Sequence, residues 1–107
     1  MINAYATEPV TFQSPVKADD GYGGNIIAWN DVAVVRIKLE PLSAREYFWA
    51  LQIKVDISHK ALCAYRTGLD EKMRFVHGDG RIFLVDSIID LDEKHIVLEI
   101  LCHQEKP

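Results

Sequence analysis

The side chains most able to carry out chemistry in this sequence are histidines and cysteines, which ligate transition metals and, in the case of cysteine, act as nucleophiles. They are His59, His77, His95, His103, Cys63 and Cys102. No two histidines stand four residues apart, and the two cysteines lie 39 positions apart rather than in a C-x-x-C pair. We therefore expect histidines at the surface or at sheet edges, two buried free thiols and no metal site.

Two further groups of residues have the residue types of a calcium site or of a phosphate-binding loop, but not the spacing that either site requires. Asp86, Asp90, Asp92 and Glu93 form an acidic cluster, and Gly21, Gly23 and Gly24 form a glycine-rich loop. The acidic cluster lacks the D-x-D-x-D-G order of a calcium loop, so a solvated turn explains it. The glycines are not followed by G-K-[ST], and no serine stands in a G-x-S-x-G elbow. The sequence indicates neither an enzyme nor a cofactor site.

Charge and length exclude other classes of protein. The chain has 107 residues, a net charge of −4 and a pI near 5.5, with no block of Lys and Arg. Tight nucleic-acid binding normally neutralises several phosphates with basic side chains, so we do not expect it here. No apolar run approaches the ~20 residues that span a bilayer, and the N-terminus lacks the pattern of a signal peptide. We expect one domain over residues 1–107, located in the cytoplasm.

One segment in the middle of the chain combines a helix start with surplus aromatic surface. Ser43 and Glu46 have the S-x-x-E spacing of a capping box, which predicts a short helix over residues 44–51. Tyr47, Phe48 and Trp49 are consecutive, so they point to different sides of any helix and one small core cannot bury them all. This pattern indicates either a segment that completes its structure against a partner or a connecting helix packed on a sheet.

Most of the remaining sequence has the period of a β-strand, with apolar residues at alternate positions. The predicted strands cover residues 10–13, 27–39, 53–65, 73–76, 81–89 and 96–102, and the third of them is interrupted around Ser58 and His59. We expect the first strand to end at Pro15, the second to bend near Asn30 and Asp31, and a hairpin loop at residues 77–80. Positions expected to share a buried face are Ile27, Trp29, Ala33, Val35, Ile37 and Leu39 in the second strand, and Ile96, Leu98 and Ile100 in the last. The pattern favours a mainly β fold, a small antiparallel barrel of about six strands with one short helix between the second and third strands.

Several of these segments, in this order, resemble the tailed-phage head-tail joining proteins, also called head completion, head closure or stopper proteins. The resemblance covers nearly the whole chain. It rests on residues 10–16, residues 20–24 with Trp29 after them, residues 40–48, and shorter matches at residues 58–60, 65–66, 73–74 and 98–102. Ala44 departs from the family pattern, which often has glycine there, and the hairpin tip at residues 77–80 is longer than expected.

The resemblance implies a non-enzymatic structural role. Such proteins are small β-barrels that form a ring below the portal and adaptor, close the channel after DNA packaging and present a docking surface to the tail terminator or tail tube. We expect six copies in the ring, with twelve as the alternative, and DNA only as passing cargo. The expected location is the host cytoplasm during assembly and then the neck of a virion or phage-like particle, without a membrane.

Two stretches of this chain correspond to the contact regions that the family implies. The channel or interface segment consists of Glu40, Pro41, Leu42, Ser43, Arg45, Glu46, Tyr47, Phe48 and Trp49. The second interface loop consists of Asp19, Asp20, Gly21, Tyr22, Gly23 and Gly24. Two alternatives stay open: a tail terminator or tail completion protein, and a small nucleic-acid-binding barrel of the OB type, which the acidic balance of the chain disfavours.

Overall fold

The computed structural model describes residues 7–19, 21–52 and 57–105. In order, the elements are β1 Glu8–Asp19, β2 Asn25–Pro41, α1 Ala44–Gln52, β3 His59–Ala64, β4 Arg74–His77, β5 Ile82–Asp90, a 3-10 turn Leu91–Glu93 and β6 Val97–Gln104. Within these ranges no helix is long and apolar enough to cross a membrane.

The six strands close into a barrel in the order β1-β2-β3-β6-β5-β4, and β4 returns to β1. Every neighbouring pair is antiparallel. The predicted fold class, a six-stranded antiparallel barrel with one short helix between the second and third strands, is confirmed. The predicted hairpin at residues 77–80 is also present, because the His77 amide donates to the Arg81 carbonyl at 2.8 Å between β4 and β5.

Aromatic side chains from three neighbouring strands fill the barrel interior. The Phe75 ring lies 5.2 Å from the Phe12 ring and 5.1 Å from the Phe83 ring, measured between centroids, and all three side chains are fully buried. The remaining core side chains are Val10, Val35, Ile37, Ala61, Cys63, Met73, Val85, Leu98, Ile100 and Cys102. Because every strand contributes to this cluster, burial of the apolar face of each strand stabilises the closed barrel as a unit.

The first strand is longer than the sequence predicted. Its expected end at Pro15 is wrong, since β1 continues to Asp19 and Pro15 pairs with Trp29 of β2. Strand β4 pairs with β1 only as far as Gln13, so one edge of β1 is free beyond that residue within the described structure. Proline lacks a backbone N–H and is tolerated on a free edge, which allows the strand to pass through Pro15.

A β-bulge reverses which side chains of β2 face the core. Phe12 pairs with Ala33 but Gln13 pairs with Asp31, so Val32 is an extra residue in the ladder. Directly paired residues lie on the same face of a sheet. After the bulge the odd-numbered residues of β2 face the core, whereas before it the even-numbered residues lie on that face, and we call this change a reversal of parity. The prediction of one buried face is therefore wrong for Ile27 and Trp29, although it holds for Val35 and Ile37. The predicted bend near Asn30 and Asp31 lies beside this bulge.

Two strand ends also differ from the prediction. Ile96 lies before β6 and is 61% exposed, whereas Leu98 and Ile100 point into the core as expected. Tyr65 lies after β3 and is exposed. The first part of the predicted third strand, residues 53–56, lies outside the described residues.

Beyond the barrel, β1 and β2 continue as a two-stranded ribbon. Residues 14–19 pair with residues 25–30, and in the described structure neither stretch has a second strand beside it. We call these two stretches the arm. The protein is accordingly elongated, with extents of 48, 30 and 28 Å along its principal axes.

Candidate assembly interfaces

The start of α1 is encoded locally, as the capping box predicted. The Glu46 amide donates to the Ser43 side-chain oxygen at 3.3 Å, and the Ser43 amide donates to Glu46 Oε1 at 3.2 Å. Both contacts span only three residues, so they satisfy two of the amides that a helix N-terminus leaves without partners.

Few contacts attach α1 to the barrel. Ala50 is the one helix residue that is buried, at 1% exposure. Lys60 of β3 places its Nζ 3.0 Å from Glu46 Oε2 and 3.9 Å from a carboxylate oxygen of Glu40. The Lys60 hydrogen bond, followed by those from Ser43, lowers the pKa of Glu46, and the bond to Glu46 raises the pKa of Lys60. Within the described residues, one small buried side chain and one ion pair therefore hold the helix on the barrel.

The aromatic residues of α1 remain exposed. Tyr47 is 42% exposed, Phe48 63% and Trp49 58%, and Leu51 beside them is 45% exposed. Exposed large apolar side chains scattered singly are normal, but Tyr47, Phe48, Trp49 and Leu51 lie close together around one short helix. We call these four side chains the aromatic patch, and such a concentration of exposed apolar surface favours protein contact. The expectation that no single core buries all three aromatics is confirmed.

The rest of the predicted channel or interface segment is contiguous with this patch. Glu40 and Pro41 end β2, Leu42 and Ser43 form the connection, and Arg45 lies exposed in the first turn of α1. A groove of about 150 Å³ separates α1 from the barrel wall, and it is lined by Leu42, Glu46, Trp49, Ala50, Ile57, Ile89, Glu99 and Leu101. The sequence prediction missed the residues of β5 and β6 in this groove, because only the barrel topology brings them under α1.

The second predicted interface loop forms the tip of the arm. Tyr22 is 96% exposed, and Gly21 and Gly23 both have φ of +82°, a conformation that glycine adopts without strain. The Gly21 amide donates to Asp19 Oδ1 at 2.9 Å, which stabilises the turn. Asp20 lies outside the described residues. The structure thus places the two predicted interfaces on two separate projections, the arm and α1.

Side chains of chemical interest are paired within the fold. His103 Nδ1 lies 2.7 Å from Asp86 Oδ2, His95 Nδ1 lies 2.7 Å from Asp90 Oδ2, and His77 Nε2 lies 3.0 Å from Glu8 Oε1. Sequence spacing could not reveal two of these pairs, because each joins different strands. In the described parts of the chain no three or more His, Cys, Asp or Glu side chains lie close enough together to hold a metal ion.

The one histidine without a carboxylate contact, among those described, packs on the core. His59 is the first residue of β3 and is partly buried, and its ring meets Phe83 edge-on with centroids 5.1 Å apart. Partial burial, with a smaller contribution from Arg81, lowers the pKa of His59 and favours the neutral ring.

The two thiols are buried and unreactive. Burial raises the pKa of Cys63 to about 11 and that of Cys102 to about 12. A thiol with such a pKa is protonated at neutral pH and is a poor nucleophile or metal ligand. The prediction of buried free cysteines is confirmed.

Comparison with known proteins identifies the class to which this barrel belongs. A family model described as phage head completion protein matches residues 5–106, which is nearly the entire chain. The chain belongs to the phage head completion protein family, and the predicted resemblance is confirmed. It is a structural protein of a phage or phage-like particle, and the family is not a family of enzymes.

Particular relatives agree with this assignment. The head completion protein gp16 of Bacillus phage SPP1 is 29% identical over 82 residues, which cover 77% of this chain and 75% of that protein. The solution structure of protein SF1141 from Shigella flexneri 2a has a similar fold, with a TM-score of 0.77, 18% identity and coverage of 97% of this chain and 96% of that one. A chain in the virion of a native gene transfer agent particle also shares the fold, with a TM-score of 0.59, 14% identity and coverage of 91% and 93%.

Proposed function

We propose that this chain assembles as a homo-oligomeric ring below the portal and adaptor, closes the head after DNA packaging and provides the surface on which the tail docks. Residues 1–107 act as one head completion domain, and the ring contains six copies, with twelve as the alternative. Membership of the head completion family supports the position of the ring. The net charge of −4 supports a role in which DNA is passing cargo, because like charges disfavour adhesion to its phosphates.

The observation that carries this proposal is the exposed aromatic patch on α1. Tyr and Trp contribute a large contact area with only two rotatable side-chain bonds, so they lose little entropy when they are buried at an interface. Tyr47, Phe48 and Trp49 contact a neighbouring subunit or the lining of the channel. The tip of the arm makes the second contact, with a neighbouring subunit or with the adaptor.

Deletion of the gene, followed by electron microscopy of the particles, tests the role. We expect heads that are filled or leaking DNA, beside separate and complete tails. Normal heads joined to defective or overlong tails would instead identify a tail terminator or tail completion protein. Particles indistinguishable from the wild type would contradict both assignments.

Complementation with point variants tests the surface. Tyr47→Ala and Trp49→Ala should fold normally, since both side chains are exposed, and should reduce ring assembly and the yield of joined particles. Ile96→Ala is the matched control, because this side chain is 61% exposed and lies outside both proposed interfaces. Normal ring assembly by both aromatic variants would refute the role of the patch.

A further inference from the structure

The point at which the arm leaves the barrel is marked by two features of the ladder. Gln13 and Arg74 form the last pair between β1 and β4, so beyond them the arm is a two-stranded ribbon. On the other strand, the bulge at Val32 stands directly opposite this point. An isolated two-stranded hairpin is marginally stable in water, and a bulge increases local bending and twist. Backbone pairing alone therefore does not define the direction of the arm.

Side chains from three strands meet on the outer face at this point. Arg74 of β4 donates from Nε to Gln13 Oε1 of β1 at 2.8 Å, and Gln13 donates from Nε2 to Asp31 Oδ1 of β2 at 2.9 Å. The guanidinium carbon of Arg74 also lies 4.3 Å from the centroid of the Trp29 ring, which belongs to the arm itself. Through these contacts Arg74 of the barrel wall is connected to Trp29 in the arm and to Gln13 and Asp31, the residues next to the two strands of the arm.

Arginine suits this position better than other cations. Its planar guanidinium stacks on an aromatic ring while a nitrogen in the same plane donates a hydrogen bond. The ammonium group of lysine has no such plane, so it cannot combine stacking with a directed bond in the same way. The bulge has a role here too, because the reversed parity of β2 is what brings Trp29 to the outer face, where Arg74 lies.

We propose that Arg74 is a positioning residue that, through Trp29 and the chain of hydrogen bonds from Gln13 to Asp31, fixes the direction of the arm relative to the barrel. We call these four residues the arm clamp. An arm held in one direction before assembly loses less conformational entropy when it docks than a loose hairpin does. How the arm is held follows from these contacts, whereas what the arm docks on rests on the proposed function.

Nuclear magnetic resonance of the isolated protein tests the arm clamp directly. Backbone order parameters and residual dipolar couplings are measured for residues 14–19 and 25–30 and for the barrel strands. In Arg74→Gln we expect the order parameters of the arm to fall from about 0.85 to below about 0.6, with couplings that no longer fit the barrel frame. Arg74→Lys should give an intermediate loss. The control is Arg36→Gln, since the Arg36 side chain is exposed on β2 and donates to the Thr7 carbonyl at 3.3 Å, away from the arm.

Two results would overturn the proposal. One is an arm in Arg74→Gln with the same order and orientation as in the wild type. The other is an equal loss of order in the barrel strands, which would make Arg74 a general structural residue. Fluorescence of Trp29 in a Trp49→Phe background gives an independent measurement, because these are the two tryptophans of the chain. Its emission should shift in Arg74→Gln and remain unchanged in Arg36→Gln.

An assembly assay on the same variants separates this inference from the proposed function. Weaker ring assembly in Arg74→Gln, with normal assembly in Arg36→Gln, supports both the arm clamp and an interface at the arm. A loosened arm with normal assembly supports the arm clamp and refutes the arm as an interface. A loss of assembly with an ordered, correctly oriented arm refutes the arm clamp.

Discussion

The arm and α1 both project from the barrel and both expose apolar side chains, but they are stabilised in different ways. The arm continues two strands of the barrel, so a backbone ladder supports it and the arm clamp directs it. The helix interrupts the sheet, and among the described residues Ala50 and the Lys60–Glu46 ion pair attach it to the wall, with one backbone bond beside it from the Leu42 amide to the Ser58 carbonyl at 3.1 Å. A segment with many buried contacts unfolds together with the rest of the fold, whereas a segment with few buried contacts can unfold locally while the rest stays folded. No side chain of the arm is buried and Ala50 is the one buried side chain of α1, so we expect both projections to lose order before the barrel, the arm when its clamp is broken and α1 when its cap is removed.

Removal of a core side chain at the root of the arm should have the largest effect, because it weakens the element on which both projections depend. Phe12 is fully buried against Phe75, and Phe12→Ala should lower the free energy of unfolding by about 3–5 kcal/mol. Urea denaturation measures this change. Val34→Ala, at a side chain that is 68% exposed, should stay within about 0.5 kcal/mol of the wild type. Equal effects of the two substitutions would contradict the assignment of the core.

Removal of the helix cap should act on α1 alone. Ser43→Ala deletes the side chain that accepts the Glu46 amide, at a cost of about 1 kcal/mol, so amide exchange in α1 should accelerate about fivefold. Hydrogen exchange of the barrel strands should not change. Ser14→Ala in the arm is the control and should leave exchange in α1 unaffected. A loss of stability throughout the barrel would show that α1 is not an independent element.

The Lys60–Glu46 pair should contribute less, because exposed ion pairs are weak and screened by salt. The Lys60 side chain is 21% exposed and that of Glu46 is 39% exposed. Lys60→Gln and Glu46→Gln should each accelerate exchange in α1 about two- to fivefold, and the double variant should differ little from either single one. Glutamine at position 46 retains the capping box, which isolates the ionic contribution. At 1 M salt the wild type should approach the variants, whereas Lys72→Gln should have no effect at either salt concentration.

Acid should destabilise the barrel and α1 through different carboxylates, Glu8 in the barrel and Glu46 in α1. The Leu39 amide, then the hydrogen bond to His77, lowers the pKa of Glu8, while burial opposes this shift. The pKa of Glu46 is also lowered, first by Lys60. A carboxylate whose pKa is lower in the folded state stabilises that state above its ordinary pKa of 4.5, and this contribution is lost as the pH falls through the lower folded value.

Each loss should be visible in a different measurement. Glu8 of β1 accepts the Leu39 amide of β2 and thereby links two barrel strands, so Glu8→Gln should reduce the decline of the global stability between pH 5 and pH 3 in urea denaturation. Glu46→Gln should reduce only the pH dependence of exchange in α1. A shared pH dependence of both measurements, altered equally by either variant, would refute the independence of the two regions.

The smallest effect on stability should come from the tip of the arm. Tyr22 is 96% exposed, so Tyr22→Ala should change the free energy of unfolding by less than about 0.5 kcal/mol. Its expected effect is on ring assembly, in contrast to Phe12→Ala. Normal assembly by Tyr22→Ala would leave α1 as the interface and exclude the side chain of Tyr22 from it.

By itself the sequence determined the features in which the interacting residues lie close together along the chain. The capping box joins Ser43 to Glu46 across three residues, and the hairpin joins His77 to Arg81 across four. The alternation of apolar residues determined the number and approximate position of the strands, because a buried strand face requires a period of two. Exposure of the aromatics on α1 followed in the same way, since three consecutive residues cannot share one helix face.

Only the tertiary structure decided features that depend on pairing between distant strands. A single extra residue at Val32 reverses the parity of β2, and no local pattern shows which strand residue will lack a partner. The passage of β1 through Pro15 depends on where β4 ends, and the contact of Arg74 with Trp29 joins residues 45 positions apart. Local hydrogen bonds and periodicity act within one segment and can be read from it, whereas register and edge position are properties of the closed barrel and exist only once its strands have paired.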